Sequence, residues 1–255
     1  MLKEEKTVNY QLWKDRFFHE IKEKSQREKQ PFILGITGRV SVGKSTIAQA
    51  IQEDAQKSGL FSSVNICSTD HFLYSNEELE KRKIKDPRGF PQSYNRKRLK
   101  DFLSDIKAGK KVSHPIYAHT IYDILPGEME LFIPGELNII EGVNLFYDED
   151  LQLGLHSYYD RTIYLNTAEE NTWKWYLNRV FYHISLCEDE DNFFYPFKKL
   201  PKEEIIRISK EYWDGLNRPN EEKYIAPTKV LADIIFQLND NHEVEKIIEN
   251  GGKHE

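Results

Sequence analysis

The chemistry-bearing residues of this sequence cluster around phosphate. Gly38-Arg39-Val40-Ser41-Val42-Gly43-Lys44-Ser45 fits the pattern G-x-x-x-x-G-K-[ST], with Thr46 next in line. Glycines let a backbone curl around phosphate without a Cβ in the way. The N–H groups of such a loop, and the N-terminus of the helix it opens, supply positive potential. Lys44 adds a mobile cation for β- and γ-phosphates, and the Ser45 hydroxyl can ligate Mg²⁺. Gly38, Val40, Ser41, Val42, Gly43, Lys44, Ser45 and Thr46 are therefore the candidate binding residues for ATP.

Two acids add direction to that loop. Asp70 directly follows the run Val64-Asn65-Ile66-Cys67-Ser68-Thr69, so its carboxylate is expected at a strand end beside the phosphates, where an acceptor hydroxyl needs a base. Glu141 closes Leu137-Asn138-Ile139-Ile140 and precedes Gly142, the arrangement of an acid that orients Mg²⁺ or its water ligands. A phosphate loop alone does not separate a kinase from an NTPase switch or motor. With both acids at strand ends, the chemistry indicated is in-line transfer of a γ-phosphoryl group to a small-molecule alcohol.

These residues need a strand, a loop and a helix to hold them. Phe32-Ile33-Leu34-Gly35-Ile36-Thr37 reads as a buried strand, and Ile47, Ala48, Ile51 and Ala55 give a helical pattern ending near Ser58-Gly59. With 64–69 they make a strand, crossover helix, strand unit. Leu137–Glu141, Thr162–Leu165 and Ile234–Leu238 are further strands, with helical segments near 168–184 and 202–216. The expected fold class is α/β, a three-layer P-loop NTPase fold with a mainly parallel sheet flanked by helices. Tyr10, Trp13, Phe17 and Ile21 share one face of a helix within residues 1–30 that should pack on the domain. Between 112 and 133, Pro115 and Pro126-Gly127 punctuate short extended pieces that suggest a small antiparallel flap. On the helix near 168–184, Trp173, Leu177 and Val180 make a face suited to the core. Trp175, Tyr176 and Arg179 share the opposite face, where Tyr176 and Arg179 can reach one cleft. No repeat or linker interrupts the chain, so residues 1–255 read as one domain with a frayed Gly251-Gly252 end.

Composition narrows the partners. Against 36 Lys+Arg stand 42 Asp+Glu in 255 residues, a net charge of −6, which disfavours extended binding to nucleic acid or an anionic membrane. Cys67 and Cys187 make neither a disulfide scaffold nor a four-cysteine zinc site. Met1–Lys6 carry no apolar core of a secretory signal, and no apolar run is long enough to span a bilayer. A reduced, soluble, cytoplasmic protein is expected.

Several blocks carry a resemblance as well as a mechanism. They are the phosphate loop, Ser68-Thr69-Asp70-His71-Phe72, Arg88-Gly89-Phe90-Pro91-Gln92-Ser93-Tyr94, Ile116-Tyr117-Ala118-His119-Thr120-Ile121-Tyr122-Asp123, Ile140-Glu141-Gly142-Val143-Asn144, Trp175-Tyr176-Leu177-Asn178-Arg179 and Asn241-His242-Glu243-Val244-Glu245. In this order they resemble bacterial type I pantothenate kinases. The phosphate loop is shared with uridine kinases and phosphoribulokinases, whereas Tyr-x-His-x-x-Tyr-Asp and the late Asn-His are more particular. The resemblance implies ATP-dependent phosphorylation of the primary hydroxyl of pantothenate, the first step towards coenzyme A. By matching position, it implies Asp70 as base, Lys44 and Ser45 as phosphate and metal contacts, and Arg179 on the transferring phosphate. It likewise implies pantothenate contacts from Tyr117, His119, Tyr122 and Tyr176, adenine stacking by His242, and assembly as a homodimer.

Some features depart from the family pattern. The chain begins close to the phosphate-loop strand, so most of the usual N-terminal helical extension is missing. The segment after Arg179 runs through Val180–Ile184 to the acidic Glu188-Asp189-Glu190-Asp191, with few cations to cover a phosphoryl group. Before Ile225-Ala226-Pro227-Thr228 stands Tyr224, where the family usually has a substrate-binding Asn, which makes Tyr224 a candidate substrate contact. Phe193, Phe194, Tyr195 and Phe197 either line a pocket for a substrate tail or form plain core. The alternatives are a uridine or other small-alcohol kinase of the same superfamily, and a nucleotide-binding regulatory protein without transfer activity.

Overall fold

Strand β1 (Phe32–Gly38) is buried along its whole length. A strand reaches that state only with strands on both edges and a layer on each face. In the computed structural model, which describes residues 10–85, 88–147 and 154–250, β1 lies inside a six-stranded sheet. The Met1–Lys6 stretch and the Gly251-Gly252 end lie outside the described residues.

The sheet order is β2 (Val64–Ser68), β5 (Leu137–Glu141), β1, β6 (Arg161–Asn166), β7 (Ile234–Leu238) and β8 (Val244–Glu249). All neighbours run parallel except β8, which returns antiparallel to β7. Successive strand residues point to opposite faces. Accordingly, Leu34, Ile36, Leu137, Ile139, Ile163 and Phe236 share one core with α1 (Tyr10–Glu28) and α2 (Lys44–Lys57). Ile33, Ile140, Tyr164 and Ile235 face a second core with α4 (Arg96–Lys107), which follows the short α3 (Asn76–Lys81). The three layers follow from this alternation. On α1, Trp13, Phe17 and Ile21 are buried as the spacing predicts, and Trp13 packs edge-on to Phe236.

β3 (Val112–Ala118) and β4 (Asp123–Phe132) pair antiparallel as a separate hairpin, the expected flap, with a register shift between Pro115 and Tyr117. Pro115 has no N–H to give to the ladder, which accounts for a break there.

Two helical readings need correction. On α5 (Glu169–Leu186) the buried residues are Thr172 and Trp175, and the expected core face of Trp173, Leu177 and Val180 is only half-buried. Trp175 turns inward because its indole N–H donates to the Asp240 carbonyl at 3.3 Å and its ring stacks on His242. The segment expected at 202–216 continues much further. After α6 (Lys202–Tyr212) it passes through π turns at Trp213–Asn217 and Glu221–Ile225 and a 3-10 stretch at Ala226–Leu231. Pro219 lies inside this run, where sequence alone argues for a stop. No helix among the described residues is long and apolar enough to cross a membrane.

Candidate active site

Sheet register brings the three chemical stretches to one edge. Ile36 of β1 pairs with Glu141 of β5, and Glu141 pairs with Ser68 of β2, two residues before Asp70. The phosphate loop leaves β1 at the same end. Its first glycine is required, because a Cβ on Gly38, at φ +148°, would sit 2.6 Å from the Leu165 carbonyl oxygen of the neighbouring strand. Gly142 is required for a different reason: a Cβ there would lie 1.7 Å from Thr69 Oγ1, on the segment that carries Asp70.

Around this edge opens a cleft of about 740 Å³, lined at one end by Val40, Ser41, Gly43, Lys44, Ser45, Thr46, Trp175 and His242. Tyr117, His119, Tyr122, Tyr176, Arg179 and Arg88 line it as well, with Asp70 and Glu141 between. Lys44 is 9% exposed, and its ammonium donates to the carbonyls of Arg39 at 2.8 Å and Gly38 at 3.2 Å. Burial lowers its pKa to about 8, against the opposing pull of Glu141 and then Asp70. Ser45 Oγ donates to Glu141 Oε1 at 3.0 Å. Glu141 is 6% exposed, and burial raises its pKa while Lys44 pulls it back.

Asp70 sits in a 3-10 turn, Thr69–Phe72, whose first N–H groups are capped when Ser68 Oγ accepts from the Asp70 N–H at 3.3 Å. Its carboxylate is held from the other side by the buried Tyr94, whose hydroxyl donates to Asp70 Oδ1 at 3.2 Å. The hairpin reaches the same turn, because the Tyr117 N–H donates to His71 Nδ1 at 3.0 Å. His71, His114 and Glu130 each offer an atom within 4.8 Å of the others, which resembles a metal trio. The Tyr117 bond leaves the His71 proton on Nε2, the atom a metal would need, so the trio reads as a link between hairpin and turn.

Aromatic and amide groups line the rest of the cleft. The Tyr117 ring packs edge-on to His119 at 5.0 Å, and Tyr122 stacks on Phe193 at 4.7 Å. Burial raises the Tyr117 and Tyr122 hydroxyl pKa values, and pushes that of Tyr176 up to about 12, so all three are donors at neutral pH. Burial lowers the His119 pKa, with Asp70 opposing and Arg179 reinforcing. Arg179 acts on Lys44 as well, so these charges share one space.

Most of the sequence candidates meet here, and some do not. Gly38 and Val42 shape the loop from behind, since neither lines the cleft and Val42 is core, with its N–H on the Arg39 carbonyl at 3.3 Å. His242 is at the phosphate-loop end, stacked on Trp175 with ring centroids 3.4 Å apart. Tyr224 is a correction: it does not line the cleft, and its buried ring packs between Phe90 and Tyr147. From the same stretch of chain, Asn217 and Asn220 do line the cleft. Phe193, Phe194 and Phe197 contact one another and none of them lines the cleft, although Phe193 stacks on Tyr122, which does. Sequence reasoning missed Arg88, Tyr94, Asn217 and Asn220. Arg88 is paired with Asp123 at 2.6 Å, a partner inside the Tyr-Asp block that could have signalled it.

Comparison with known proteins fits this geometry. The sequence model of the Phosphoribulokinase / Uridine kinase family matches residues 33–182. The chain is 37% identical to the pantothenate kinase of Lactococcus lactis subsp. lactis (strain IL1403) over 219 residues, covering 85% of this chain and 72% of that protein. It is also 37% identical to that of Streptococcus suis (strain 05ZYH33) over 220 residues, covering 86% and 72%. Among solved structures, the YGR205w protein superposes with a TM-score of 0.64 at 18% identity, over 93% of this chain and 96% of that one. A putative fructose transport system kinase from Silicibacter sp. TM1040 gives 0.61 at 17%, over 77% and 87%. These two speak for the fold, a P-loop kinase fold. The sheet order, the phosphate loop facing an acid, and the matches to the family model and to both relatives together show that the chain is a phosphotransferase of the Phosphoribulokinase / Uridine kinase family, belonging to its pantothenate kinases.

Proposed function

We propose that this chain transfers the γ-phosphoryl group of ATP to the primary hydroxyl of pantothenate. The observation that carries the reading is the single cleft in which Asp70 faces Lys44 and Arg179, bounded by Tyr117, His119, Tyr122 and Tyr176. In this reading the acceptor hydroxyl lies against Asp70, which takes its proton as the oxygen attacks the γ-phosphorus. The bond from that phosphorus to the β-bridging oxygen breaks and ADP leaves. Tyr94 keeps the carboxylate turned towards the acceptor. Lys44 and Arg179 offset charge on the transferring oxygens, and the loop N–H groups hold the phosphates. The Trp175–His242 stack at the far end offers an aromatic edge to the nucleotide base.

The Ser45 hydroxyl and Glu141 carboxylate, 3.0 Å apart, are hard oxygen donors of the kind Mg²⁺ takes. Mg²⁺ held by these two residues would offset negative charge on the nucleotide phosphates. The acceptor wall is aromatic and amide-rich, which suits a molecule with an amide and hydroxyls. Both walls are built from elements interleaved along the chain, so the reading takes the chain as one catalytic domain, and it includes assembly as a homodimer. The test is an acceptor panel scored by ADP release and by the mass of the phosphorylated product. Turnover of pantothenate with little on uridine is expected; uridine turnover without pantothenate turnover contradicts the reading.

A further inference from the structure

The phosphate loop and the acceptor wall are joined by an ion pair that does not line the cleft. Arg39 follows the first glycine of the loop. Its carbonyl accepts from Lys44 Nζ at 2.8 Å, while its side chain turns the other way and Nε donates to Glu221 Oε1 at 2.8 Å. The side chains are 24% and 12% exposed, so water screens this pair less than an ordinary surface pair. Burial pushes the Glu221 carboxyl up and Arg39 is the largest influence holding it down.

Glu221 opens the second π turn, directly after Asn220, and Asn217 closes the first. Both amides line the cleft. Asn220 is 3% exposed; its Nδ2 donates to the Gly89 carbonyl at 2.8 Å, and its Oδ1 is buried with no hydrogen-bond partner among the described residues. A buried, unused amide oxygen on a cleft wall is a feature that a bound donor would satisfy. The π turns that present these amides carry no side-chain cap of their own. The segment is tied to α5 by Arg218, which donates to Glu169 Oε1 at 2.7 and 2.9 Å, and to the phosphate loop by Arg39.

We infer that Arg39 and Glu221 are positioning residues, a strap that fixes the acceptor-facing Asn217 and Asn220 relative to Lys44. This rests on the proposed reading that the acceptor lies along the amide wall. Releasing the strap misplaces the alcohol while leaving the loop N–H groups and Lys44 on the nucleotide, so its signature is a defect on the acceptor side.

The test is steady-state kinetics of the full chain with Arg39→Ala, Glu221→Ala and the double variant. The acceptor is whichever alcohol the wild type turns over, pantothenate first. A panel that comes out differently overturns the substrate reading and leaves the strap to be decided on the same variants. Each single change is expected to lower kcat/KM for the acceptor about tenfold or more, with KM for ATP within about threefold of wild type. The double variant is expected to be no worse than the poorer single, and Arg39→Lys, which keeps the charge, to recover most of the loss. Multiplicative defects in the double variant, equal damage to ATP and acceptor, or unchanged acceptor kinetics each overturn the strap. If the alanine variants melt below assay temperature, Arg39→Lys and Glu221→Gln carry the comparison. The lysine variant should then keep acceptor kcat/KM and the glutamine variant lose it, and equal behaviour of the two overturns the proposal.

Discussion

Replacing Tyr94 with Phe removes one oxygen atom and leaves the ring in place. The lost hydroxyl donates to Asp70 Oδ1 at 3.2 Å from a side chain that is almost wholly buried. A hydrogen bond to a charged acceptor contributes about 1.5–3 kcal/mol, and an O–H to oxygen distance beyond about 3.0 Å argues for the lower end. About 1.5 kcal/mol corresponds to roughly a tenfold change in rate. The bond orients the carboxylate and touches no phosphate. Tyr94→Phe is therefore expected to lower kcat about three- to tenfold, with KM for ATP unchanged within about twofold. A coupled ADP-release assay with either substrate varied reads both. A kcat within experimental error of wild type would show that Tyr94 does not orient Asp70. A loss of about a thousandfold would make Tyr94 a participant in the proton transfer itself.

Two further outcomes concern stability. Asp160 is buried and accepts from Lys107 at 2.6 and 2.7 Å and from the Ile33 N–H at 2.8 Å, with Lys24 at 3.0 Å, so it ties α1, α4 and β1 together. Asp160→Ala should cost about 3–5 kcal/mol in urea unfolding, and a cost under about 1 kcal/mol would contradict that role. Burial, and then His114 and His119, lower the His71 pKa, with Asp70 and Glu130 opposing. Below pH 6.5 and down to the folded value, the unfolded chain binds a proton that the folded one does not, so stability rises with pH through that window. His71→Gln should flatten the difference in unfolding free energy between about pH 5 and about pH 7, and an unchanged difference refutes the assignment.

The chemistry of this site was legible where it lies in one contiguous segment. The phosphate loop, Asp70 and Glu141 each sit at a strand end that an apolar run announces, and parallel register does the rest. The hairpin was legible from its prolines. What long-range packing decides was not. Trp175 is buried because a turn between β7 and β8 meets it with a carbonyl and His242, so the helical spacing of α5 pointed to the wrong face. Tyr224 became a candidate substrate contact because it stands before Pro227-Thr228, where the resembling family usually has an Asn. π turns on either side of Pro219 instead present Asn217 and Asn220 and leave Tyr224 to pack on Phe90. Arg88 and Tyr94 come from a loop whose place depends on contacts with Asp123 and Asp70.

The most direct test of the account is Asp70→Asn, measured for turnover with pantothenate and for ATP affinity by calorimetry on the same preparation. The amide keeps the shape and cannot take a proton. A fall in kcat of about 10²–10⁴-fold with ATP affinity within about threefold of wild type is expected. Turnover within about tenfold of wild type would contradict proton transfer to Asp70.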